Sequence, residues 1–218
     1  MNIKQLRNLF LSQSYLDTIH DYEDFLDKEQ NGWDYVVLTA SNESQARTYR
    51  NEIEVRKQEH TIPTNCNYLV LADPDGKRVG SGGATLNVLK HIALDNTTSN
   101  NPFKNKKILV IHSGGDSKRV PQYSVCGKLF SPVPRETSNG KSSTLFDEFL
   151  IVMASVARRI SEGMLVLSGD VLLLFNPLQL DLQFKGAAAI SIKEGVDIGK
   201  DHGVFLRGKN NYVKKILA

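Results

Sequence analysis

Residues 106–128, KKILVIHSGGDSKRVPQYSVCGK, restrict the possible folds of this chain more than any other stretch. The apolar run at 108–111 reads as a buried strand. It leads directly into Gly114 and Gly115, then into Asp116, Ser117, Lys118 and Arg119. A further lysine, Lys128, follows a Pro-containing segment. A strand that ends in paired glycines and cations is a recurrent phosphate holder. The glycines let the backbone come close, the amide N–H groups point at the anion, and the basic side chains neutralise it.

The surrounding pattern sets that stretch in a parallel sheet. WDYVVLTA at 33–40 and YLVLA at 68–72 read as strands by their β-branched and apolar content. Between them a charged helix runs to about His60, opened by Asn42 with Gln45 as a capping box. Strand, helix, strand is the order of a parallel pair with its crossover. Residues 144–160 form a helix, because Phe146, Phe149, Leu150, Met153, Ala157 and Ile160 recur at helical spacing and face a core. MLVLS at 164–168 is the next buried strand, and 187–192 a further one. Residues 2–28 predict an amphipathic surface helix, closed by Asn31-Gly32. Loops are predicted at 95–105 and 135–143. The expected fold class is α/β, with a mostly parallel, doubly wound sheet. Residues 1–30 are expected to form an N-terminal helical segment and 31–218 one larger domain.

Composition narrows the function. A net charge of +3 over 218 residues is too weak for a nucleic-acid coat and allows a local basic pocket. Two distant cysteines, Cys66 and Cys126, give neither a disulfide scaffold nor a zinc site. No run approaches the roughly 20 apolar residues that span a bilayer. A cytoplasmic protein without nucleic-acid or membrane partners is expected.

Three further features bear on chemistry. Gly80, Gly82 and Gly83 form a glycine-rich loop that opens an apolar helix. Thr85 stands where G-x-G-x-x-G needs its last glycine, and the loop lacks the Gly-Lys-Ser/Thr of a P-loop. It serves either close packing or nucleotide contact, the latter because it follows a strand end, where open α/β sheets bind ligands. Asp170 follows the 164–168 strand, where a carboxylate either has a packing role or holds a divalent cation beside a phosphate. His112, beside the glycines, has either a site role or a structural one. There is no Gly-x-Ser-x-Gly elbow and no HExxH. What converges is anion chemistry: glycine loops, Lys118, Arg119, Lys128 and Asp170. Phosphoryl and nucleotidyl transfer depend mainly on alignment and charge neutralisation, which these parts supply.

With WDYVVLTA (33–40), DPDGKRVGSGGATLN (73–87), IHSGGDSKRVPQYSVCGKLFSPVP (111–134), LFDEFLIVMAS (145–155), SGDVLLLF (168–175) and HGVF (202–205), the chain resembles the fucose-1-phosphate guanylyltransferase (GDP-fucose pyrophosphorylase) family. The form it resembles opens bifunctional fucokinase/GDP-fucose pyrophosphorylases. The third stretch is the most specific and looks like a nucleotide-sugar pyrophosphorylase signature. The resemblance implies a nucleotide-diphospho-sugar transferase (GT-A-like Rossmann) fold, truncated at the C-terminus. It also implies the reaction of GTP with L-fucose 1-phosphate to give GDP-L-fucose and pyrophosphate, with Mg²⁺. Gly114, Gly115 and Ser117 would line the triphosphate, and Arg119 would hold the departing phosphates. Lys128 would contact the α-phosphate and the sugar phosphate, and Asp170 would hold Mg²⁺. Gly80, Gly82, Gly83 and Thr85 would lie near the nucleoside. Such enzymes continue past position 218 into a sugar-binding region and, in bifunctional members, a fucokinase domain. The chain is therefore expected to be an N-terminal fragment that binds nucleotide weakly and does not turn over. A second metal-binding carboxylate is not assigned.

Two rivals remain. One is a pyrophosphorylase for another sugar phosphate or for UTP. The other is a non-catalytic nucleotide-binding fragment.

Overall fold

The computed structural model describes residues 2–28, 32–97, 99–113, 121–123, 127–137, 139–200, 203–209 and 212–217. The chain divides into two compact units, Met1–Leu182 and Gln183–Ala218.

The first unit is built on a four-stranded parallel sheet. Its strands are β1 (Tyr35–Ala40), β2 (Asn67–Ala72), β3 (Lys107–His112) and β6 (Gly163–Ser168), in the order β2-β1-β3-β6. Parallel neighbours need crossovers, and the helices that make them cover both faces. α2 (Glu43–Gln58) and α4 (Leu145–Arg159) lie on the face of Val36, Leu38, Leu109 and Ile111. α3 (Gly80–Asp95) covers the other, where Val88 and Ile92 pack on Tyr35, Val37, Ile108 and Val110. The sheet is thus doubly wound. The chain steps outward from β1 to β2, then crosses back over β1 to β3. The strand order reverses between β1 and β3, and the C-terminal strand ends at such a switch point are where open α/β sheets place their ligand crevice.

α1 (Ile3–Asp27) begins with a reciprocal cap between Asn2 and Gln5. Its second half packs on α4, burying Tyr22 and Phe25 in the same core as the sheet, while the first half is exposed. α4 is buried along most of its length and is capped by Thr144 and Asp147. No helix among the described residues is long and apolar enough to cross a membrane.

Several sequence expectations need correction. The glycines at 80–83 are not a loop but the first turn of α3. Gly80 has a φ of +70°, and a Cβ on Gly83 would lie 2.8 Å from Val79 Cβ, so the turn fits closely against the residue that precedes it. Gln45 caps α2, but its side chain accepts from Ser41 N (2.9 Å), while Asn42 Oδ1 accepts from Gln45 N (3.0 Å). The expected loop at 135–143 contains part of a hairpin, β4 (Pro132–Glu136) with β5 (Ser142–Thr144), turned at Gly140. β6 is not a buried strand. It stands at the end of the sheet with Met164 and Val166 exposed.

The second unit holds a short helix α5 (Val196–Gly199) and an antiparallel pair, β7 (Val204–Arg207) with β8 (Val213–Leu217). Residues 187–192, expected as a strand, join no ladder among the described residues, and Ile190 and Ile192 are exposed. Their β-branched content favours an extended chain but cannot make a strand without a partner.

Candidate active site at the C-terminal edge of the sheet

Four strand ends converge on the crevice. Asp73 N, just beyond β2, donates to Ala40 O at the end of β1 (2.8 Å). Gly169 N, just beyond β6, donates to His112 O at the end of β3 (2.8 Å). Ser113 Oγ ties β3 back to β1 through Thr39 O (2.7 Å). A Cβ at Gly169 would lie 2.9 Å from Ser113 Cβ and 3.0 Å from His112 O, so only glycine lets β6 deliver its next residue this close to β3.

That next residue is Asp170. Its Oδ1 accepts from Ser168 Oγ (2.7 Å), and its Oδ2 lies 3.5 Å from Lys128 Nζ. The Ser168 hydrogen bond, aided by the Lys128 charge, holds the Asp170 carboxyl below its ordinary range, so it stays ionised. Both side chains reach solvent, at 33% exposure for Lys128 and 50% for Asp170, and so remain open to a ligand.

Lys128 opens a 3₁₀ turn, Lys128–Phe130, anchored by the buried Leu129 and Phe130. Phe130 packs between Tyr49 (centroids 5.2 Å apart) and Phe146 (5.3 Å). Arg56 lies over Phe130, 5.1 Å from the ring centroid. The Arg56 guanidinium is forked onto Asp147 (2.7 and 3.2 Å) and also bonds Glu52 Oε2 (2.7 Å). Nearby, Arg135 Nε donates to Glu148 Oε1 (2.6 Å), and Tyr15 donates to the same carboxylate. These buried charges are paired, as burial requires.

His112 occupies the α3 side of the crevice. Its Nε2 is 2.9 Å from Thr85 Oγ1 and its Nδ1 is 3.2 Å from Thr39 Oγ1. Thr85 Oγ1 also donates to Ser81 O (2.9 Å). With that proton committed, Nε2 is the donor to Thr85 and Nδ1 accepts from Thr39. Burial pushes the His112 pKa down, against a smaller opposing pull from Asp73, so the ring is neutral at pH 7. Burial raises the Asp73 carboxyl in turn.

The structure therefore brings together Lys128, Asp170, Ser113 and His112, with Thr85 and the first turn of α3 beside His112. Gly114, Gly115, Ser117, Lys118 and Arg119 lie outside the described residues. Among the described residues there is no cluster of three or more His, Cys, Asp or Glu side chains that could hold a metal. Asp170 offers an ionised, accessible carboxylate beside Lys128. Sequence reasoning missed Ser168, although it sits two positions before Asp170, and missed Tyr49, which nothing marks within a charged helix.

A family model for the fucose pyrophosphorylase domain matches residues 100–218, a span that carries β3, Lys128 and Asp170. The chain belongs to the fucose pyrophosphorylase family. It is 33% identical to the bifunctional fucokinase/GDP-fucose pyrophosphorylase of Arabidopsis thaliana, with 82% of this chain and 19% of that protein covered. It is 28% identical to the mouse (Mus musculus) fucose-1-phosphate guanylyltransferase, covering 80% of this chain and 29% of the relative. The Homo sapiens counterpart is 29% identical, with 80% and 28% covered. The chain thus spans less than a third of the length of these relatives. No solved structure matches it. The fucose pyrophosphorylase match leaves out the glycines of α3, which precede residue 100.

Proposed function

We propose that this chain forms the nucleotide-binding part of a guanylyltransferase that converts GTP and L-fucose 1-phosphate to GDP-L-fucose and pyrophosphate. The observation that carries the proposal is the approach of Lys128 to Asp170 (3.5 Å) at the strand ends of a fucose pyrophosphorylase-family sheet. The printed names of the relatives support the choice of substrates.

In this reading a phosphate oxygen of fucose 1-phosphate attacks the α-phosphorus of GTP. The bond to the pyrophosphate oxygen breaks, and the electron pair leaves with pyrophosphate. Lys128 turns from Asp170 to the α-phosphate and neutralises charge that builds there. Gly114, Gly115, Ser117, Lys118 and Arg119 are proposed to line the triphosphate, with Arg119 on the departing phosphates. The turn of Gly80, Gly82, Gly83 and Thr85 is proposed to face the nucleoside. Asp170 would hold Mg²⁺. One ionised, half-exposed carboxylate fits that ion, which usually takes one or two carboxylates and completes its shell with water and nucleotide phosphates. Bound there, Mg²⁺ would supply further charge neutralisation on the phosphates.

A fucokinase activity in the same longer polypeptide is proposed from the names of the A. thaliana and Bacteroides fragilis relatives. Such a kinase would supply the sugar phosphate consumed here. The free, buried Cys66 supports a reducing compartment, and we propose a cytoplasmic location.

The test uses the full-length protein with Mg²⁺, fucose 1-phosphate and GTP, UTP or ATP in turn. Pyrophosphate release and nucleotide-sugar formation are measured. Turnover with GTP well above UTP and ATP is expected. Preference for UTP, or for another sugar phosphate, would replace the substrate assignment, and binding without turnover in all arms would reject it.

A further inference from the structure

Tyr49 is fully buried on α2 and belongs to no motif, yet it touches both segments that frame the crevice. Its hydroxyl donates to Ser113 O (3.0 Å), the last carbonyl described beyond β3. The same hydroxyl fills the space beside Gly127, where a Cβ would stand 2.1 Å from Tyr49 Oη. Gly127 also has a φ of +67°, so backbone conformation and close packing both demand glycine immediately before Lys128. The Tyr49 ring meets Phe130, two residues after Lys128, at 5.2 Å and 54°. One side chain therefore fixes the exit of β3 on one side and both flanks of Lys128 on the other.

We propose that Tyr49 is a positioning residue, which sets the distance between the β3 exit and the Lys128 turn so that the two segments act as one phosphate-facing frame. The proposal rests on the function proposed above for its kinetic consequence and for the phosphate that the frame faces. The packing role of Tyr49 belongs to its ring, whereas the positioning role belongs to its hydroxyl. The ring supports Phe130 whether or not an oxygen is attached. The hydroxyl donates to Ser113 O, and it makes the closest approach to the Gly127 gap, with the ring edge next at 3.0 and 3.1 Å. Misplacement of a reacting group by about 1 Å can cost on the order of a hundredfold in rate, so a loosened frame should act on turnover rather than on nucleotide capture.

The experiment compares wild type with Tyr49→Phe in the full-length protein. Hydrogen exchange is followed in peptides spanning Ser113 and residues 127–130, together with the melting temperature, GTP affinity, KM and kcat. The expected result is faster exchange in both segments and unchanged exchange in β1 and β2. The melting temperature and GTP affinity should stay near wild type, with kcat down by about tenfold or more. Gly127→Ala, which presses on the hydroxyl from the other side, should also lower kcat. Adding Tyr49→Phe to it should cost less than the two single changes combined, because both act on one contact. Unchanged exchange in either segment overturns the proposal, as does a wild-type kcat in Tyr49→Phe. A wild-type protein that transfers no nucleotide would reject the proposed function instead, while the exchange comparison would still decide whether Tyr49 joins the segments.

Discussion

Lys128 Nζ lies 3.5 Å from Asp170 Oδ2, although the two residues are 42 positions apart in the chain. The pair forms because Gly169 lets β6 approach β3 and because Phe130 pins the Lys128 turn to the core. Each partner holds the other's charge in a crevice open to solvent. An incoming phosphate and its cation would exchange with this pair, so little charge needs to be stripped of partners on binding.

Lys128→Ala in the full-length protein should lower kcat far more than it weakens GTP binding. The lysine is proposed to act on charge that develops during transfer, and removing such a group typically costs about 3 kcal/mol, or roughly a hundredfold in rate. Steady-state kinetics with a separate GTP binding measurement checks this. A raised KM for GTP with kcat near wild type would assign Lys128 to ground-state binding.

Gly169→Ala should both destabilise the protein and impair the site. The added Cβ would come within 3.0 Å of the His112 carbonyl and 2.9 Å of Ser113 Cβ, so the β6 end must move away from β3. Overpacking of this kind costs about 1–3 kcal/mol. Denaturant unfolding measures the first effect and Mg²⁺-dependent nucleotide binding the second. A variant with wild-type values for both would show that the strand end relaxes freely.

Arg56→Ala should be among the most damaging single changes away from the crevice. Arg56 and Asp147 are 11% and 9% exposed, and removing the guanidinium strands a buried carboxylate that also caps α4. Breaking such a pair costs about 3–5 kcal/mol. Arg56→Lys should recover only part of it, since a single ammonium cannot reproduce the fork. Urea unfolding of both variants is the check, and a loss below about 1 kcal/mol would contradict the role given to the pair.

Stability should fall on acidification below the ordinary histidine pKa of 6.5 in a way that depends on His112. Burial lowers the folded-state pKa, so between the folded value and 6.5 the unfolded chain binds more protons than the folded one. Folding free energy from this group is therefore intact above 6.5 and declines as pH drops toward the folded value. Denaturant unfolding at pH 7.5 and 5.5 should show a smaller pH difference in His112→Gln than in wild type. Equal pH differences would place the titration elsewhere.

Much of the sheet was legible in the sequence because its strands are short apolar runs between helical segments of distinct period. Residues 35–40, 67–72 and 107–112 are such runs, and the residues that end them begin the crevice. Two failures have physical causes. The glycines at 80–83 look like a loop because glycine is a poor helix former, yet at a helix start their small size lets the first turn lie against Val79. Residues 187–192 have strand composition, but composition does not reveal whether a neighbour supplies hydrogen bonds. The links through Tyr49 and Arg56 were hidden for a different reason. They join residues 64 and 91 positions apart, and only the folded packing shows them.

β6 has consequences for how the crevice opens. Among the described residues, Asp170 follows the end strand of the sheet, which is bound to β3 on one side and carries exposed Met164 and Val166. Strands of this kind detach at lower cost than the core strands they lean on. Were β6 to detach, Asp170 would leave Lys128 while β1, β2 and β3 stayed folded. A ligand that bridges Asp170 to the rest of the crevice binds only the docked form and so stabilises that docking by mass action. Affinity for such a ligand and resistance of residues 163–170 to proteolysis should rise and fall together across variants.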